Sequence, residues 1–159
     1  RMPAAYRDDA TLFGPVAPAD PLAADAGPAL RALAARFPDA IIYAPLAVGG
    51  HVDHRATQLL ALELLGAGVT VAFYEDFPYA ATPGAVEAQL AELGAARYAP
   101  AAVEIGAQLE RKTAAIGAYA SQLATIFAGR GPMPEVVADH ARRVAPAGAA
   151  YGERVWIRV

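Results

Sequence analysis

Ala40-Ile41-Ile42-Tyr43-Ala44-Pro45-Leu46-Ala47-Val48-Gly49-Gly50-His51-Val52-Asp53-His54-Arg55 is the stretch that decides the fold. Its first five residues form a short apolar run, the pattern of a buried strand. A loop from Pro45 to Asp53 follows, with Gly49 and Gly50 inside it. A helix beginning near Asp53 carries Leu59, Leu60, Leu62 and Leu64 and ends at Gly66 or Gly68, as helix C-termini commonly do. The order then repeats. Val69 to Tyr74 is a second apolar run, Glu75-Asp76 opens a loop, and Pro83 suits the first turn of a helix reaching Leu93.

Strands alternating with helices predict an α/β fold, a Rossmann-like parallel sheet with helices on both faces. In such sheets the ligand crevice lies beyond the C-terminal ends of the strands. His51, Asp53, His54, Glu75 and Asp76 are therefore expected along one rim, joined by Glu104 at the end of a third strand. That strand spans Arg97 to Ile105. Pro100 interrupts it and assigns it to a sheet edge.

Upstream, Leu30, Leu33, Ala34 and Phe37 follow helical spacing, and Pro38 stops the run. Residues 1–25 carry Pro3, Pro15, Pro18 and Pro21 without periodicity and are expected to be a connector. Residues 26–159 are expected to form part of a single domain, incomplete at the N-terminus, because the chain opens on Arg1. Downstream, one long helix is expected from Gln108 to Phe127, a break from Gly129 to Pro134, and a helix from Glu135 to Val144. Val155, Ile157 and Val159 alternate with polar neighbours and Trp156, which marks a closing strand.

Composition narrows the function. With 56% hydrophobic and 18% charged residues the chain has enough apolar mass for a core. A net charge of -3 gives no basic footprint, which argues against nucleic acid as a partner. The absence of cysteine excludes disulfides and thiolate metal sites, so any metal must use His, Asp, Glu or water. No apolar run reaches the length of a membrane span.

Two motifs carry chemistry. His51 and His54 stand three apart at a helix start, so both rings can face one pocket and bind a metal. The same residues also suit a solvated helix start in which Asp53 is only a cap. Tyr74-Glu75-Asp76-Phe77-Pro78-Tyr79 places acids and aromatics at a strand's end. That suits a polar ligand with an apolar face, such as a sugar, or a loop whose rings plug the core while its acids face water. The residues alone leave these alternatives open. His140, beside Arg142 and Arg143, is expected on a solvated helix face.

Four segments in order resemble the PIG-L/LmbE-like N-acetylglucosamine deacetylases. Gly49 to Ala56 resembles their Gly-His-Pro-Asp-His-Arg block, with Val52 where proline is usual. Tyr74 to Tyr79 is similar to their Tyr-Glu-Asp-x-Pro-Tyr stretch. Lys112 with Tyr119-Ala120-Ser121-Gln122, and Tyr151 to Trp156, resemble two later segments. The family's first block, Ala-His-Pro-Asp-Asp-Glu, is not in the chain, so the match is to the C-terminal portion of such an enzyme.

The resemblance implies zinc-assisted removal of an acetyl group from an N-acetylated sugar or glycoconjugate. It implies that His54 is a Zn2+ ligand, and that His51 steadies an oxyanion or protonates the leaving amine, with Asp53 as its partner. Glu75, Asp76 and Tyr79 would bind substrate. A fragment of this kind is expected to be inactive alone and cytoplasmic. The rival expectation is a non-catalytic carbohydrate-binding module that kept the sheet. A nucleotide-binding domain is disfavoured, because no Gly-x-Gly-x-x-Gly follows any strand.

Overall fold

A computed structural model describes residues 6–159. The predicted connector thus lies partly outside the described residues. Its described part holds α1 (Asp9–Leu12), whose N-terminus is closed by a capping box between Asp8 and Thr11. Helix α2 (Leu22–Arg36) begins well before the periodic leucines that announced it and carries Pro28 inside it. Then come β1 (Ile42–Pro45), α3 (Val52–Gly66), β2 (Val71–Tyr74) and α4 (Ala85–Leu93), the two expected strand–loop–helix units.

The second half departs from expectation. β3 (Tyr98–Glu104) and β4 (Gly152–Arg158) bracket three helices, α5 (Leu109–Gly117), α6 (Ala120–Ile126) and α7 (Met133–Arg143). The single helix expected from Gln108 to Phe127 is two, parted at Ala118 and Tyr119. Gly117 ends α5, and Tyr119, at φ -84° and ψ 47°, has left the helical region.

Strand order is β1-β2-β4-β3. Only β1 and β2 pair in parallel, with Ala44 opposite Phe73. β4 is antiparallel to both its neighbours, so the wholly parallel sheet expected from the sequence is corrected to a mixed one. The cause is the closing strand, which enters between β2 and β3 and runs against both. β1, β2 and β3 still point the same way, so their C-terminal ends share one rim. β3 is an edge strand, as Pro100 required.

Register sorts the two faces. Ala44, Phe73 and Trp156 stand in one row, and Phe73 is fully buried. On this face Leu46, Val48, Ala61, Leu64, Val71, Val86 and Leu90 close the core. The next row, Tyr43, Ala72 and Ile157, points the other way, and Tyr43 is 61% exposed. The sheet therefore has one sealed face and one partly open face.

Candidate active site

The loop after β1 is not a surface loop. Leu46, Ala47 and Val48 have no exposed surface. Buried backbone must find partners. Leu46 N–H donates to the Tyr74 carbonyl, and the Leu46 carbonyl accepts from the Gln58 side chain on α3. Val48 N–H donates to Asp76 Oδ2 at 2.9 Å. Gly49 has φ +83°, and a Cβ there would fall 2.5 Å from the Tyr79 ring. Glycine thus lets Tyr79 lie against the backbone in a conformation other residues resist.

His51 is the N-cap of α3, its Nδ1 accepting the Asp53 N–H at 3.2 Å. Asp53 Oδ2 lies farther off, 3.8 Å from the same nitrogen. The hydrogen bond is the shorter contact and leaves Nδ1 without a proton, so the ring carries its proton on Nε2. His54 lies one turn into α3, its ring 5.5 Å from that of His51.

His54 Nδ1 sits 2.8 Å from Asp76 Oδ1. Both atoms are buried and neither closes a well-angled hydrogen bond. The separation is that of an imidazole–carboxylate pair. Asp76 has no exposed side-chain surface, whereas His54 is 36% exposed. One carboxylate therefore fixes both the loop after β1 and the His54 ring, and leaves His54 Nε2 to face outward.

The other predicted residues divide. Tyr79 edges His54 at 6.3 Å between centroids, and burial pushes its phenol above the usual range, so it keeps its proton. Glu75 is bound by Arg154 and by Trp156 Nε1 at 3.0 Å, both on β4, rather than by His51 or His54. Glu104 is exposed and accepts from Gly106 N–H at the end of β3. Phe13, within the expected connector, edges His51 at 5.4 Å and Tyr79 at 6.1 Å. No periodicity marked it.

His140 corrects an expectation. It is 8% exposed, not solvated, with its ring 5.5 Å from that of Phe77 and Nε2 3.6 Å from Glu75 Oε2. Desolvation, with Arg143, Lys112 and Arg154 adding to it against Glu153, lowers its pKa to about 4. The arginines beside it in sequence suggested a wet face, but α7 turns His140 inward with Val137 and Ala141.

The described residues bring no group of three or more His, Asp or Glu together in metal-holding geometry. They offer one oriented imidazole, which alone does not make a zinc site.

Comparison with known proteins agrees with this geometry at the level of fold. No family model matches the chain. It is 32% identical to 2'-N-acetylparomamine deacetylase of Streptomyces fradiae, over 72% of this chain and 46% of that enzyme. Among solved structures, a triple mutant of a deacetylase of the teicoplanin biosynthetic pathway matches 87% of this chain and 57% of that one, at TM-score 0.68 and 27% identity. A40926 pseudoaglycone deacetylase covers the same share of this chain at TM-score 0.64 and 23% identity. The zinc-inhibited form of teicoplanin deacetylase matches at TM-score 0.68 and 24% identity. The chain spans about half the length of the relatives it matches. The fold is that of these deacetylases.

Proposed function

We propose that the chain is part of an amide hydrolase that removes an acetyl group from an N-acetylated amino-sugar glycoside. The observation that carries this reading is the Asp76 carboxylate, which braces His54 from behind at the rim where His51 and Tyr79 also converge. A carboxylate behind a histidine is how proteins fix the ring that presents its other nitrogen to a metal. The relatives named above are deacetylases, and one acts on an N-acetylated paromamine.

The roles follow from the geometry. His51, with Nδ1 accepting, presents Nε2–H as a donor to a carbonyl oxygen as it becomes an oxyanion. Asp53 holds that ring through its backbone N–H. Tyr79, protonated, offers a donor to a sugar hydroxyl. Asp76, buried, orients His54 and is not in reach of a sugar. Glu75, held by Arg154 and Trp156, braces β4 rather than His54.

Zinc, where bound, would polarise the acetyl carbonyl and acidify water. The described residues supply His54 toward it and not a full set of donors. In this reading the remaining donors, and the base for water, come from sequence flanking residues 1–159. The protein is proposed to be cytoplasmic, and among the described residues no helix is long and apolar enough to cross a membrane.

Substitution in the complete protein tests the roles. His54→Ala should lose zinc and turnover together. His51→Ala should keep zinc and lose turnover about a hundredfold or more, as for an oxyanion donor. Metal analysis beside acetate release decides; zinc lost with His51→Ala and kept with His54→Ala would reverse the assignment.

A further inference from the structure

A surface cavity of about 660 Å³ lies where the segment after Tyr79 meets α7 and the turn that follows α6. Ala81 and Thr82 come from the first, Asp139, Arg142 and Arg143 from the second, and Arg130 from the third. Neither His51 nor His54 lines it, so its use is independent of the deacetylase reading.

Three arginines and one acid share this cavity. Asp139 is occupied by Arg142, which pairs with it one turn along α7. Arg142 also lies over the Tyr151 ring, 5.5 Å from its centroid. The other two guanidiniums are held by neutral oxygens. Arg130 Nη1 donates to Thr82 Oγ1 at 3.2 Å, and Arg143 Nη2 donates to the Ala81 carbonyl at 3.2 Å. Among the described residues neither is paired with a carboxylate. A guanidinium has several N–H donors, and each of these two spends only one here. Thr82 Oγ1, accepting from Arg130, keeps its own proton to give. Three arginines less one aspartate leave the cavity with two positive charges and a surplus of donors.

The last turn of a helix favours cations, so Arg142 and Arg143 have a local reason to stand at the end of α7. Arg130 has none. It comes from outside α7 and crosses to Thr82, 48 residues away in sequence. Two remote segments thus bring free charge to adjacent residues, Ala81 and Thr82.

We infer that this cavity binds a phosphate-type dianion, with Arg130 and Arg143 each donating to its oxygens. A guanidinium fork matches two oxygens of a phosphate. A dianion cancels both unpaired charges, a monocarboxylate leaves one, and a cation adds to the repulsion. The dianion is either the free ion or a phosphoryl group carried on a sugar. Chain geometry leaves the second source open. Thr82 follows Tyr79 by three residues, at most about 11 Å of chain, and the 3-10 turn Tyr79–Ala81 joins the cavity to the rim. Burial raises the Tyr79 phenol and Arg130 opposes it, so Arg130 acts across that turn.

Residues 1–159 are titrated by calorimetry in low-salt buffer stripped of metal on a chelating resin, since a bound metal could itself hold phosphate. The ligands are inorganic phosphate, glucose 6-phosphate and acetate. The expected result is saturable phosphate binding with Kd on the order of 1 mM, as for two charge-assisted contacts, and acetate weaker by about tenfold or more. Arg130→Gln and Arg143→Gln should each weaken phosphate about tenfold, whereas Arg111→Gln, at an exposed position on α5 outside the cavity, should leave it unchanged. Glucose 6-phosphate binding more than about tenfold tighter than phosphate assigns the site to a sugar-borne phosphoryl group, and any lesser preference assigns it to the free ion. No saturable phosphate binding up to about 20 mM, or acetate binding as tightly as phosphate, would overturn the inference. So would a folded Arg130→Gln or Arg143→Gln protein that binds phosphate like the parent, or an equal loss from Arg111→Gln. The comparison of phosphate with acetate is made on the unmodified chain and stands even where a variant fails to fold. It measures no turnover, so its failure leaves the deacetylase reading untouched.

Discussion

Asp76 receives the Val48 N–H on one oxygen and meets His54 with the other, and both contacts lie inside the protein. Removing it orphans a buried backbone donor and frees a histidine ring. Asp76→Ala should therefore cost about 2–4 kcal/mol in urea unfolding, the penalty of unpaired buried groups. Asp76→Asn keeps an acceptor for Val48 and should cost less than half as much; equal losses would mean that the charge contact to His54, which both changes remove, carries the whole effect. At the same scale, His140 supplies a pH signature. Its folded pKa lies near 4, below the ordinary 6.5, so the unfolded chain takes up the proton first as pH falls. The stability that rests on neutral His140 is complete above about pH 6.5 and drains away down to about pH 4. It amounts to on the order of 2 kcal/mol after allowance for residual solvent contact. His140→Gln should flatten that part of the urea-stability profile between pH 6.5 and 4.5. An unchanged slope would show that other groups carry it. The sequence made His51, His54 and Asp76 legible as neighbours on a rim. It did not show that Asp76 faces inward or that His140 is buried, because burial of a polar group depends on partners brought from distant elements.

The strand–loop–helix units of the first half were readable because each is local: an apolar run, a glycine-bearing loop, a periodic helix. Pro100 likewise announced an edge strand before any pairing was known. The direction of β4 was not readable, since alternation along Val155, Ile157 and Val159 fixes a strand but not its neighbours. The break between α5 and α6 was missed because alanine on both sides of Gly117 supports a continuous helix. The loop after β1 gives the sharpest test of an element. Gly49→Ala combines a positive φ with a Cβ 2.5 Å from the Tyr79 ring. It should destabilise by about 2 kcal/mol or more, from backbone strain of roughly 1 kcal/mol plus displacement of Tyr79. Adding Tyr79→Ala removes the clash but not the strain, so the double variant should cost less than the sum of the two single changes. Strict additivity in thermal unfolding would mean Tyr79 does not rest on Gly49.

The molecule as a whole is sealed on the Phe73 face and open beside Tyr43. Among the described residues β1 pairs with β2 alone, so its outer edge presents unpaired backbone next to Ile41 and Tyr43, which are 51% and 61% exposed. Open apolar edges recruit other chains. Residues 1–159 should self-associate with concentration in sedimentation velocity, and Tyr43→Lys should reduce it; a monomer at every concentration would contradict this. Four sequence segments that looked independent are joined in space: Asp76 ties the β2 loop to His54, Glu75 ties it to Arg154 and Trp156, and Lys112 pairs with Glu153. That network braces the loop after β2 against α3 and β4, and β4 against α5. The most direct test of the rim's proposed use is acetate release from N-acetylated aminoglycosides and glucosaminides by residues 1–159 together with their flanking sequence, compared with His54→Ala. The account predicts acetate and free amine in equal amounts from the parent, and a loss of about a thousandfold or more in the variant, as for removal of a group essential to the reacting centre. Undiminished release by His54→Ala, or no release from any N-acetylated sugar by the parent, would contradict it.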